Sequence, residues 1–76
     1  MKIQQIVGDN IRHIRQKKKL SQEALALEAN MSRSYVGEVE RAEKNISVDC
    51  LVKLAEALEV EPKALVLPGY YKTIKP

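Results

Sequence analysis

Six residues of "MSRSYVGEVE", positions 31–40, can make directed contacts: Ser32, Arg33, Ser34, Tyr35, Glu38 and Glu40. They offer a guanidinium fork, three hydroxyls and two carboxylates, the donors and acceptors of hydrogen-bond recognition. Bond-making chemistry has no such set. Cys50 is the single cysteine and His13 the single histidine. No nucleophile, base and orienting group therefore stand together, and no metal ligand cluster can be assembled. We expect no catalytic residue, no metal, no cofactor and no small-molecule ligand. Only Val36 and Val39 of this segment read as core, and Gly37 weakens any helix it interrupts. A short, polar, glycine-bearing helix makes sense if it packs one narrow edge and offers the rest to a partner. On these residues alone an ordinary solvated helix with a tolerated glycine is the favoured reading.

The charges around that segment are unevenly placed. Residues 1–20 carry Lys2, Arg12, Arg15, Lys17, Lys18 and Lys19 against Asp9 alone, a balance of +5. Residues 45–61 carry Lys53 against Asp49, Glu56, Glu59 and Glu61, a balance of −3. Such asymmetry suits a molecule that turns one side to a polyanion, or simply reflects solvated helix faces. No apolar run approaches the roughly 18 residues of a membrane span, and the N-terminus lacks the apolar core of a signal peptide. The expectation is a soluble, cytoplasmic protein without a membrane partner.

The elements that must position these residues are helical. Ile3, Val7, Ile11 and Ile14 recur at helical spacing, which predicts a first helix over residues 3–18 with cations in its last turn. Ser21 caps a short second helix, "QEALALEA", and Asn30 stands where a left-handed residue is wanted. Ser32 caps the third helix. Ser47 caps a fourth, whose Leu51, Leu54, Ala55 and Leu58 make an apolar stripe. Pro62 opens a fifth of about a turn and a half, ending by Pro68. "GYYKTIKP" reads as a basic, aromatic tail without helical pattern. The class is all-α, five short helices, with a domain over residues 1–67 and a tail over 68–76. A 76-residue chain buries only about 60% of its unfolded surface, so self-association is a common way to supplement its core.

"LSQEALALEANMSRSYVGEVERAEKNISVDCLVKLAEALEV" resembles the Cro/cI-type helix-turn-helix family (XRE-like) of phage repressors and small bacterial regulators. The resemblance rests on Ser21-Gln22, Leu25-Ala26, Ser32, and "VERAEKNIS" leading into "LVKLAEALEV". Gly8, Ile11, Ile14 and Arg15 extend it to about residues 6–65. "SRSYVGEVERAEKNIS" is most like the controller proteins of restriction–modification systems. Two positions depart from the family pattern. Asn30 stands where glycine is usual, and Ala42 where glycine or asparagine is usual.

The resemblance implies a compact, lambda-repressor-like domain whose second and third helices form the helix-turn-helix. The third helix would enter the major groove of double-stranded DNA. The residue types agree with that role. Arg33 can fork onto guanine O6 and N7, Ser34 and Tyr35 can reach a base edge or phosphate, and Glu38 can accept from cytosine N4. Gln22, Ser32, Arg41, Lys44 and Asn45 are expected along the DNA backbone. Arg15 and Glu40 match a pair that in the family ties the first helix to the third, so both are read as structural. Gly37 is expected on the outer face, easing approach to the groove. Lys17, Lys18 and Lys19 add diffuse attraction or form a solvated helix end. Leu27 is core trim or contact surface, and His13 and Cys50 are plain helix residues.

One short helix reads about four base pairs, so a homodimer on a (pseudo)palindromic operator is expected. Its interface is placed on Leu51, Leu54, Leu58 and Leu65. The function expected is sequence-specific transcription regulation, with RNA polymerase a further candidate partner. The alternative is an antitoxin-like protein-interaction module with secondary DNA binding.

Overall fold

Three serines start three helices. Ser21 Oγ accepts the Ala24 N–H at 2.9 Å, Ser32 Oγ the Tyr35 N–H at 3.1 Å, and Ser47 Oγ the Cys50 N–H at 3.1 Å. Each satisfies one of the orphan donors of a helix N-terminus. The computed structural model describes residues 2–74. Along them run α1 (Ile3–Lys17), α2 (Gln22–Glu28), α3 (Arg33–Glu40) and α4 (Val48–Leu58), then two 3-10 turns, Pro62–Val66 and Tyr70–Thr73.

All four α-helices end the same way. Lys19, Asn30, Ala42 and Glu59 adopt left-handed φ of 57° to 61°. The following residue in each case donates back five positions, from Leu20 to Arg15, Met31 to Ala26, Glu43 to Glu38 and Val60 to Ala55. This is the Schellman closure, which glycine usually supplies. Here no glycine does. Asn30 tolerates the conformation, whereas Lys19, Ala42 and Glu59 carry its steric cost, about 1–2 kcal/mol each. Ala42 therefore keeps the exit geometry of α3 at an energetic cost.

The expected fifth helix is instead a 3-10 turn. Pro62 contributes no N–H, and Pro68 forces Leu67 into extended backbone (φ −94°, ψ 120°), so only Pro62–Val66 is available. Five residues favour the tighter i→i+3 pattern. Residues 68–74 are not a patternless tail either. Tyr70–Thr73 form the second 3-10 turn, entered through Gly69 at φ 69°. Residues 75 and 76 of that expected tail lie outside the described residues.

The core is built from Val7, Ile11 and Ile14 of α1, Leu25 and Ala26 of α2, Val36 and Val39 of α3, and Leu54, Ala55 and Leu58 of α4, closed by Leu65. This corrects the expected dimer surface. Leu54, Leu58 and Leu65 are each 0% exposed, so the chain's own core consumes them, and Leu51 alone of the four is partly exposed. A chain this small needs every large inward side chain for itself.

Asn10 is the only buried polar side chain besides Glu40 among the described residues. Its amide donates to the carbonyls of Leu65 at 3.0 Å and Leu67 at 2.8 Å, with a longer contact to Ala64 at 3.3 Å. Its Oδ1 accepts the Tyr71 N–H at 3.2 Å. Lys17, expected to be solvated or diffusely attractive, instead donates from Nζ to the carbonyls of Tyr71 and Ile74. The His13 ring stacks on Tyr71, centroids 4.0 Å apart. These contacts dock both 3-10 turns on α1.

Candidate nucleic-acid interface

The position of α3 is set from beneath. Gly8 of α1 lies so close to it that a Cβ there would meet the Val39 carbonyl oxygen at 2.6 Å and that of Glu40 at 2.8 Å. Only glycine permits that crossing. Beside it, Arg15 grips Glu40 with both edges of its fork, Nε to Oε2 at 2.7 Å and Nη2 to Oε1 at 3.1 Å. Arg15 Nη1 donates to the Leu20 carbonyl at 2.8 Å. Gln22 Nε2 donates to the same Glu40 Oε1 at 3.0 Å. The Glu40 carboxylate, 3% exposed, thus joins α1, α2 and α3. A bidentate pair with both carboxylate oxygens engaged is the form in which a sheltered ion pair is sustained.

Above this frame, Gln22, Arg33, Ser34, Gly37, Glu38 and Arg41 line an open concavity of about 330 Å3. The structure therefore brings together Arg33, Ser34 and Glu38 of the expected reading set with Gln22 and Arg41 of the expected backbone set. Arg33 and Ser34 are exposed and Glu38 is half-buried. Gln22 spends one amide donor on Glu40, so it serves the frame as well as the concavity.

Three residues stand differently. Tyr35 is half-buried and packs against the core. Burial, and then a hydrogen bond with the Cys50 thiol, push its phenol above the usual range. Gly37 lies on the expected outer face, lining the concavity, but is covered there: a Cβ would lie 3.0 Å from Arg41 Nη1 and 3.7 Å from Gln22 Oε1. The Arg41 side chain is folded back across it. Asn45 leaves the concavity altogether, hydrogen-bonding Gln4 of α1 and lining a groove between α1 and α4. Ser32 and Lys44 are exposed beside α3, with the Ser32 oxygen already serving as the N-cap.

Arg41 itself is paired. Its Nε donates to Glu43 Oε2 at 3.0 Å and its Nη2 to Oε1 at 3.2 Å. The hydrogen bond from Arg41 holds the Glu43 carboxyl below the usual carboxylate range, and Arg41 is raised in turn. Sequence reasoning missed Glu43 and Asn10. Asn10 had a signal, a lone amide inside the Val7–Ile11–Ile14 stripe; Glu43 had none beyond lying two residues from Arg41.

Comparison with known proteins places these features in a family context. The family model described as helix-turn-helix matches residues 11–65, which span α2, the turn and α3. The chain is 40% identical over 65 residues to control protein C.BamHI of Bacillus amyloliquefaciens, covering 84% of this chain and 80% of that protein. It is 41% identical over 70 residues to control protein C.SmaI of Serratia marcescens, covering 91% and 83%. Among solved structures, it superposes on the restriction-modification controller protein C.AhdI of Aeromonas hydrophila with a TM-score of 0.79. That match is at 45% identity and covers 82% of this chain and 94% of that one. No helix among the described residues is long and apolar enough to cross a membrane.

Proposed function

Because the chain belongs to the DNA-binding helix-turn-helix (XRE-like) family and is a transcription regulator of that family, we propose that it binds a palindromic operator as a homodimer and controls a restriction–modification system. The observation that carries this reading is the concavity where Arg33, Ser34, Glu38, Gln22 and Arg41 converge at the front of α3. It joins a base-reading fork to phosphate-type donors on one surface. The names of the similar control proteins support the regulatory role. Cytoplasmic action follows from a DNA target.

The dimer needs a surface other than the α4 stripe. Ile3, Ile46, Val48, Leu51 and Val66 line an apolar groove of about 170 Å3 between α1 and the start of α4. Ile3 is 52% and Val48 75% exposed, although both are aliphatic. A second copy covering this groove supplies the burial that the small core lacks. Val48→Asp is then expected to convert a dimer into a monomer in sedimentation at micromolar concentration without lowering the melting temperature of the monomer. A Val48→Asp variant that stays dimeric refutes this placement.

Selection of bound duplexes from a random DNA pool tests the function itself. The expected result is a two-fold symmetric sequence, bound by two chains. Recovery of no preferred sequence would favour the antitoxin-like reading, in which another protein is the main partner.

A further inference from the structure

The Arg41–Glu43 pair has a geometry that an ordinary surface ion pair does not need. Glu43 takes the Nε–Nη2 edge of the guanidinium. Nη1, with its two N–H donors, is the nitrogen that overlies Gly37 in the concavity, and it has no hydrogen-bond partner among the described residues. A Cβ at position 37 would sit 3.0 Å from that nitrogen and would displace the guanidinium by a few tenths of an ångström, so glycine lets it lie close over the helix. Glu43 itself is reached through the left-handed Ala42, which turns the chain so that its carboxylate comes back to Arg41. Both partners are more than half exposed, so the pair contributes little to stability.

From this arrangement we infer that Glu43 is a positioning residue for DNA recognition: it orients Arg41 so that Nη1 points into the concavity, and it cancels the charge that would otherwise attract any DNA. The inference rests on the DNA-binding reading above. An unpaired arginine gains affinity for every phosphate by counterion release, whatever the sequence. Held by Glu43, Arg41 offers a directional donor and almost no long-range field. Correctly docked DNA can still use Nη1, because Glu43 occupies only the opposite edge of the fork. Loosely docked DNA gains little. Glu43 therefore raises the ratio of specific to non-specific binding by lowering the latter.

The test measures affinity for the duplex recovered from the random pool and for a random-sequence duplex of equal length, at several salt concentrations. Glu43→Gln is expected to raise affinity for the random duplex about two- to fivefold. Affinity for the preferred duplex should rise by less, so the ratio falls. The salt dependence on random DNA should steepen by up to about one unit of slope. In an Arg41→Ala background the same Glu43→Gln change should leave the ratio unaltered, because Glu43 acts through Arg41. An unchanged ratio in Glu43→Gln overturns the proposal. So does an equal fall of the ratio in the Arg41→Ala background, which would make Glu43 a plain repulsive charge. If the unaltered protein prefers no sequence at all, the DNA-reading function fails, and this inference falls with it. Melting curves of each variant verify that the exposed substitutions leave the fold intact.

Discussion

Replacing Arg15 with alanine is expected to remove a large part of the domain's stability, although Arg15 itself does not line the concavity. The Glu40 carboxylate is 3% exposed and receives three donors, two from Arg15 and one from Gln22. Arg15→Ala leaves a sheltered carboxylate on a single amide donor. Removing one partner of such a pair costs about 3–5 kcal/mol, and orphaning the Leu20 carbonyl adds about 1 kcal/mol. Arg15 is itself 12% exposed, so water can reach part of the vacated space and about 3 kcal/mol is the expected total. A chain of this length has about 4–11 kcal/mol in all. At about 4–8 °C per kcal/mol, the melting temperature should fall by roughly 12–24 °C. Urea titration followed by circular dichroism measures the loss directly. Replacing Glu40 by glutamine in the Arg15→Ala background should restore part of it by removing the stranded charge. An Arg15→Ala protein of unchanged stability that has lost DNA binding would refute this reasoning, for Arg15 would then be a contact and not a brace.

Asn10→Leu should cost about 3 kcal/mol, since it orphans the Leu65 and Leu67 carbonyls and the Tyr71 N–H. Hydrogen exchange should accelerate most at Tyr71, and slow exchange there in the variant would show that Lys17 and His13 suffice to hold the second 3-10 turn. Ala42→Gly should stabilise by about 1 kcal/mol, because φ of 61° is strained for alanine and not for glycine. A fall in melting temperature would count against that account of the α3 exit. On the proposed DNA-reading role, Arg33→Ala should cost roughly 1–3 kcal/mol and relax preference at one symmetric base pair. Lys44→Ala should instead weaken all sequences about equally and make the salt dependence shallower by about one unit. Titration against single-base variants separates the two, and a uniform loss for Arg33→Ala would make it a phosphate clamp.

What was legible in the sequence was local chemistry. A serine before an apolar-periodic run can satisfy a helix N-terminus wherever the helix later packs, so Ser21, Ser32 and Ser47 were readable as caps. Asn30 was readable for the same reason at the other end. The Arg15–Glu40 pair lies 25 residues apart and was accessible only through the family resemblance. The direction a stripe faces was not legible. Leu54 and Leu58 are apolar at helical spacing whether they meet this chain's core or another copy, and periodicity does not distinguish the two. The docking of residues 70–74 was missed because it depends on Asn10 and Lys17, whose polar types suggest solvent. Glu43 acts through a left-handed alanine that looked like a defect in the pattern.

The placement of Glu40 ties the stability of the fold to the shape of the surface above it. Glu40 is the last residue of α3, one helical turn from Gly37 and adjacent to Arg41. The carboxylate that anchors α3 to α1 also takes an amide donor from Gln22, which lines the concavity on its α2 side. A change in the brace must therefore move both walls of the concavity together, since Gln22 forms one and α3 the other. A core cavity under Val36 or Val39 would lower stability while leaving those two walls bonded to each other. Substitutions at Arg15 or Glu40 should accordingly lose DNA affinity in excess of their fraction unfolded, whereas Val39→Ala should lose affinity only in proportion to it. Measuring stability and affinity for both kinds of variant at one temperature decides the point. Equal affinity per folded molecule in all of them would show that the brace holds the helix up but does not set the shape of the surface above it.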